Sequence, residues 1–311
     1  MLHIVDFELD HPERTEFLEE ISEDLSLSRN QRRMFSRFFG FEAFHYDEQA
    51  PLDQMTSGAV DRLLARNPRS AASLSHVSHC HTLPAITYCD NESSSILAPF
   101  AEQGLEVFSA TMNHCATGLS MLSSMDHLLG DADAGLVLIA EKAFHPDVRL
   151  IENTTIMGEC AAAVLVSREA GPLEIVDSYT QHDPRFWQNT GHLDEPYLEG
   201  FEDMYLDFAC STLTNALKQF DLGMDDVRFV LPHNVNMASW IMVAQILGFD
   251  RHKICLSTIA HFGHCFGADP FINLRQLINE DKLDASDRLL LFSIGLGATA
   301  TCTLVQVNKP L

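Results

Sequence analysis

The run Gly135-Leu-Val-Leu-Ile-Ala-Glu141 is strand-length and almost wholly apolar. A strand without polar alternation has to be covered on both faces, so it belongs in the middle of a sheet with helices above and below it. The chain is therefore expected to be a layered α/β protein. A second such run, Leu289-Leu-Leu-Phe-Ser-Ile-Gly295, leads through a glycine turn into Ala298 to Val307, another strand. Ile156-Met-Gly158-Glu-Cys-Ala161-Ala-Ala-Val164-Leu-Val-Ser167 repeats the pattern of small residues after a glycine. Aligning Gly158 with Gly297 superposes Ala161 on Ala300, Leu165 on Leu304 and Val166 on Val305. This faint internal repeat predicts two like halves, 1–170 and 171–311.

Between the strands the spacing predicts helices over 11–28 (Phe17, Leu18, Ile21, Leu25), 52–66, 205–220, 237–247 and 271–278. Asn67-Pro68-Arg69 stops the second of these. Residues 72–79, 105–110, 227–231 and 254–258 read as strands.

Leu105 to Leu129 reads as strand, tight turn and helix, with Leu119, Leu122, Met125 and Leu129 recurring at helical spacing. Cys115 then falls at the helix N-terminus. Unpaired N–H groups and the positive end of the helix dipole converge there and favour a thiolate, the nucleophilic form. Many buried cysteines are inert filler, so position alone does not decide the role. Pro232-His233-Asn-Val-Asn236 and Phe262-Gly-His264-Cys-Phe-Gly267-Ala-Asp-Pro270 also follow predicted strands, and ligand sites of open α/β sheets collect at that edge. A thiol, two imidazoles and glycine turns are the parts needed for acyl transfer through a thioester.

Other classes are less well supported. A formal charge of −24 argues against a nucleic-acid surface. No run of 18 apolar residues exists and the N-terminal segment is acidic, so cytoplasmic residence without a membrane is expected. Eight cysteines without a CxxC pair fit free thiols in a reducing compartment. His76, His79, Cys80 and His81 crowd together, but their spacing matches no metal motif, and a loop or subunit contact fits better. Arg29-Asn-Gln-Arg32-Arg33-Met-Phe-Ser-Arg37-Phe-Phe-Gly40 has two readings. It is a solvated helix face with Phe35, Phe38 and Phe39 inward, or a phosphate-gripping entrance for a nucleotide-bearing substrate.

The order of these motifs resembles the thiolase-fold condensing enzymes, most closely the β-ketoacyl-ACP synthase III type. Pro232-His-Asn-Val-Asn236 is similar to the family's Pro-His-Gln-Ala-Asn, Gly158-Glu-Cys-Ala-Ala-Ala-Val to its Gly-Asp-Gly-Ala-Gly-Ala-Val, and Ile294-Gly-Leu-Gly297 to its closing glycine run. The resemblance covers about 25–309. It implies a thiolase fold of two similar βα halves layered αβαβα. It also implies that Cys115 is acylated by a CoA or carrier-protein thioester with help from His233, that the N–H groups of Cys115 and Gly297 form an oxyanion hole, and that no cofactor is tightly bound. Arg32, Arg33, Arg37 and Asn236 are the residues it offers to the CoA or phosphopantetheine arm.

The third catalytic position departs from type. Gly263-His264-Cys265 stands where the family has Gly-Asn-Thr, although elongating ketosynthases do use Cys-His-His. A neutral imidazole can still donate to a thioester carbonyl, so decarboxylative Claisen condensation with a malonyl thioester stays open beside acyl transfer to an oxygen, nitrogen or unusual carbon acceptor. The expected protein is a homodimeric acyltransferase of specialised metabolism acting on a small-molecule or carrier-bound acceptor. A silent partner subunit of a heterodimer and a cysteine hydrolase with Asn236 orienting the histidine are the other readings. His114 is expected to point away from the site, and Cys160 and Cys265 to be core or lining.

Overall fold

In the computed structural model, which describes residues 1–82, 92–111, 113–143, 146–186 and 200–309, both apolar runs are strands buried on each face. Cys89 lies outside the described residues; the other seven cysteines are free and buried. In chain order the strands are β1 (Leu2–Asp10), β2 (Thr15–Phe17), β3 (Ala43–His45), β4 (Leu74–Cys80), β5 (Glu106–Ala110), β6 (Ala134–Ile139), β7 (Leu150–Ile151), β8 (Thr155–Ile156), β9 (Ala161–Ser167), β10 (Leu173–His182), β11 (Phe229–Pro232), β12 (Arg288–Gly295) and β13 (Thr299–Val307). Nine of them form one sheet in the order β11-β12-β13-β10-β1-β9-β6-β4-β5.

The sheet reads alike outward from its middle, where β1 and β10 pair over Leu2–Ile4 and Leu173–Ile175. On one side β9 and β6 follow antiparallel and β4 parallel; on the other β13 and β12 follow antiparallel and β11 parallel. A β-bulge sits at the same place in each half. β1 slips between Ile4 and Asp6 opposite Val166 and Leu165, and β10 slips between Ile175 and Asp177 opposite Val305 and Leu304. Those are the positions that the sequence repeat superposes. A bulge kinks a strand and sharpens its twist.

Alternation along the strands divides the core into layers. On β6, Val137 and Ile139 face a central layer, Leu136 and Leu138 an outer one. The central layer holds two helices, Thr117–Leu128 with Leu119, Leu122 and Met125, and Asp269–Asn279 with Phe271, Leu274 and Leu277. Helices Leu52–Arg66 and Glu92–Ala101 cover the outer face of one half. Helices Phe201–Gln219 and Met237–Leu247 cover the other, packing Leu213, Ala216, Trp240 and Val243 onto β12 and β13. The arrangement is the αβαβα layering expected. Each fully buried leucine contributes roughly 2 kcal/mol of apolar transfer.

Several local expectations are corrected. Residues 11–28 do not form one helix: Thr15–Phe17 pairs with Ala43–His45, only Leu18–Ile21 is helical, and Phe17 is 51% exposed. Strand pairing has captured the N-terminal part of a stretch whose Leu18 and Ile21 still turn inward. Phe38 does not pack inward; the helix Arg29–Arg37 ends before it, which leaves its ring 67% exposed while Phe35 is fully buried. Residues 254–258 make a single bridge, Ile254 to Val230, and no strand. Residues 68–72 form a short helix, so the following strand begins at Leu74.

Candidate active site

Cys115 lies in a single 3₁₀ turn, His114–Ala116, that runs directly into the central helix Thr117–Leu128. The turn is held from the other half of the chain. Ser293 on β12 donates its hydroxyl to the Cys115 carbonyl at 2.9 Å, and Gly295, where β12 ends, has room for no side chain: a Cβ would lie 2.2 Å from the Asn113 carbonyl oxygen. His114 adopts φ +49° beside the nucleophile, a conformation that side chains adopt rarely. Its ring is buried, neither nitrogen finds a partner among the described residues, and burial lowers its pKa to about 4. It is a neutral, buried residue of the pocket wall.

His264 arrives on a loop that the first half of the chain grips. Its N–H donates to the Ile156 carbonyl at 3.1 Å and its carbonyl accepts from Gly158 N–H at 3.0 Å. Gly158 is required there, because a Cβ would stand 2.0 Å from the Phe262 carbonyl oxygen. Gly263, at φ +67°, and Gly267, whose Cβ would lie 3.0 Å from the Cys115 carbonyl oxygen, complete the close approaches. The outcome is contact: Nε2 of His264 lies 3.5 Å from Sγ of Cys115.

The opposite nitrogen of that ring meets a group the sequence reading did not single out. Nδ1 of His264 is 2.5 Å from Oδ2 of Asp269, the first residue of the central helix Asp269–Asn279. Asp269 has no exposure, and its carboxylate also accepts from the N–H groups of Cys265 (2.7 Å) and Asn234 (2.5 Å). Burial opposes a charge on His264, but Asp269 and Cys115 outweigh it and raise the pKa from 6.5 to about 10. These neighbours favour the imidazolium over the neutral ring. The signal for Asp269 was present in the sequence: a carboxylate five residues past the histidine, within the same glycine-rich turn.

His233 stands beside His264 in the same buried pocket. Its ring centroid is 5.7 Å from that of His264, but its Nε2 is engaged by the Tyr205 hydroxyl at 2.9 Å. Burial, then the neighbouring His264, push its pKa well below 6.5, so it is neutral. Two imidazoles in one pocket are thus driven apart in charge. The hydroxyl of Tyr205, in the helix Phe201–Gln219, was missed because a lone tyrosine in a helix of mixed acidic and apolar residues carries no motif.

The remaining expected residues are placed as follows. Asn236 caps the helix Met237–Leu247 by accepting from Ser239 N–H at 2.8 Å, and its amide donates to the Thr154 carbonyl at 3.0 Å. Both ends of the amide are engaged, so it orients neither histidine, and the hydrolase arrangement with Asn236 is not the one present. Gly297 lies half-buried in the β12–β13 turn at φ +130°. Arg32, Arg33 and Arg37 are exposed, with no ion pair among the described residues. His79 is buried and donates to the Ala140 carbonyl, its ring 5.0 Å from that of His81. Cys160 and Cys265 are buried, and burial raises both thiols above the usual range.

Residues 217–307 match the family described as 3-oxoacyl-[acyl-carrier-protein (ACP)] synthase III C terminal. The β-ketoacyl-[acyl-carrier-protein] synthase III of Clostridium tetani is 28% identical over 94 residues, 30% of this chain and 28% of that protein. The hydroxymethylglutaryl-CoA synthase of Pyrobaculum arsenaticum is 24% identical over 151 residues, 47% of this chain and 43% of that protein. The chain thus spans less than half the length of these relatives. Among solved structures, ChlB3, titled an acyltransferase, superposes at TM-score 0.85 with 15% identity over 99% of this chain and 98% of that one. The 3-oxoacyl-[acyl-carrier-protein] synthase III of Aquifex aeolicus superposes at 0.80 with 19% identity over 98% and 100%. Likeness at such identities establishes the fold.

Proposed function

We propose, from the premise that this chain is a β-ketoacyl-ACP synthase III-like protein of the thiolase fold, that it is an acyltransferase working through an acyl-Cys115 intermediate. The observation that carries this reading is the buried Asp269 behind His264. A carboxylate in that position makes an imidazole a proton carrier for a nucleophile, the logic of a Cys-His-Asp triad.

The steps follow from the charges. The Cys115 thiolate, paired with the His264 imidazolium, attacks the thioester carbonyl of a CoA or carrier-protein donor. The N–H groups of Cys115 and Gly297 are assigned to the oxyanion. The tetrahedral intermediate expels the pantetheine sulfur, which takes the proton from Nε2 of His264. The ring is now neutral, and the acylated sulfur no longer holds a charge beside it. Asp269 still does, so Nε2 can take a proton from an acceptor O–H or N–H as that atom attacks the acyl carbon. Cys115 leaves as thiolate and the imidazolium is restored.

Arg32, Arg33 and Arg37 are assigned to the donor's phosphates, because they gather unpaired positive charge on an otherwise acidic chain. Among the described residues β5 ends the sheet with only β4 beside it, and an edge of this kind supports homodimer formation by pairing with a second copy. We place the enzyme in the cytoplasm, in specialised metabolism, without a tightly bound cofactor. No helix among the described residues is long and apolar enough to cross a membrane.

Intact mass after mixing with a series of acyl-CoAs and acyl carrier proteins tests the proposal. An acyl adduct that disappears in Cys115→Ala and is discharged by an added alcohol or amine supports it. An adduct lost to water alone indicates a hydrolase, and no adduct with any donor indicates a silent partner subunit.

A further inference from the structure

His233 has one nitrogen toward the pocket's polar groups, and a phenol occupies it. We propose that Tyr205 decides the reaction's outcome: by donating its O–H to Nε2 of His233 it removes the imidazole N–H that decarboxylation of a malonyl thioester requires, and so commits acyl-Cys115 to direct transfer. The proposal rests on the acyl-Cys115 reading above.

The direction of the 2.9 Å hydrogen bond follows from the chemistry of its ends. A phenol is a stronger donor than a neutral imidazole, and the imidazole lone pair is the stronger acceptor. Burial and the charge of Cys115 raise the phenol's pKa, so it keeps its proton, while His233 stays neutral. Nε2 therefore carries a lone pair and has no hydrogen to give. The backbone of His233 is anchored and the ring is packed in place. Its backbone N–H is tied to the Phe292 carbonyl at 2.8 Å, its carbonyl accepts from the Trp240 indole at 2.9 Å, and the ring lies against both aromatics. Nδ1 is sealed from solvent and has no partner among the described residues.

Decarboxylation breaks the bond between the malonyl C2 and its carboxylate. Carbon dioxide leaves, and the electron pair becomes an enolate whose charge sits on the thioester oxygen. That carbanion then takes a proton or attacks the acyl carbon on Cys115. Stabilising the enolate oxygen calls for N–H donors aimed at it. During acylation Nε2 of His264 gives its proton to the pantetheine sulfur and is left with a lone pair, so the ring N–H has to come from His233, and it is available only if Tyr205 releases it.

Tyr205→Phe keeps the ring and deletes the donor. The readout is carbon dioxide released from carboxyl-labelled malonyl-CoA per acyl-Cys115 formed, with the imidazole nitrogen shifts of His233 followed by ¹⁵N NMR. We expect this ratio to rise about tenfold or more in the variant, up to the roughly 10²–10³ that one oxyanion donor is worth. The Nε2 of His233 is expected to be unprotonated in the native protein and protonated in Tyr205→Phe. An unchanged ratio, or a protonated Nε2 in the native protein, overturns the proposal. Should the native protein take no acyl group on Cys115, the acyl-transfer reading fails, and the nitrogen shifts still decide whether Tyr205 holds that lone pair.

Discussion

Oδ2 of Asp269 lies 2.5 Å from Nδ1 of His264, and neither residue is open to solvent. Asp269→Asn keeps the shape and removes the charge that holds the imidazolium. We expect first-turnover release of CoA to slow by roughly 10²–10⁴, the usual contribution of a positioned acid–base group, with the fold retained by circular dichroism. Asp269→Ala also strands the N–H groups of Cys265 and Asn234. That change is expected to destabilise by about 3 kcal/mol, read from the urea midpoint.

The histidines set a stability maximum near pH 6.5. His264 has a folded pKa raised to about 10, so its contribution is complete below its unfolded value of 6.5 and is lost as pH climbs towards 10. His79 and His114 are depressed to about 4 by burial, so theirs is complete above 6.5 and is lost as pH falls towards 4. Urea midpoints measured from pH 4 to 10 should fall on both sides. His264→Asn should flatten the alkaline side only; equal loss on that side in the variant would show that another group is responsible.

A methyl group on Gly158 has nowhere to go. The atom it would strike is backbone, the Phe262 carbonyl oxygen at 2.0 Å, so the loop bearing His264 must move. We expect Gly158→Ala to cost roughly 1–3 kcal/mol as overpacking does, and to cut acylation of Cys115 more than stability alone explains. Comparing acylation at a temperature where the variant is fully folded separates the two.

Strand ends and the thiol were legible because they depend on local pattern. Apolar runs mark β6 and β12, and small residues mark the turn at Cys115. The repeat around Gly158 and Gly297 even pointed to the strands whose partners carry matching bulges. What was not legible depends on which atoms converge. His233 and His264 both sit in family-like motifs, and only the fold shows that the sulfur faces His264 while Tyr205 takes His233. Asn236 likewise reads as a site residue until its two hydrogen bonds show a helix cap. Residues 11–28 have helical spacing, but pairing with 43–45 is a long-range event that periodicity cannot register.

The helix Arg29–Arg37 supplies the last test, because the two readings of its arginines separate by salt. A solvated face contributes nothing to donor binding. A phosphate-receiving face loses affinity on charge reversal, and the loss shrinks with ionic strength, since the Debye length is about 8 Å at 0.15 M. We expect the triple variant Arg32→Glu, Arg33→Glu, Arg37→Glu to raise KM for the donor about tenfold or more at low salt, with a smaller change at 0.5 M. The three side chains are exposed and make no ion pair among the described residues, so the fold should tolerate their loss. The donor can be read from the same measurement. CoA offers a compact cluster of phosphates to three charges, whereas an acidic carrier protein approaches with a whole surface that the body of this chain repels. If KM rises far more for acyl carrier protein than for acyl-CoA, the helix is the patch that overcomes that repulsion and the carrier is the native donor. Equal effects point to CoA.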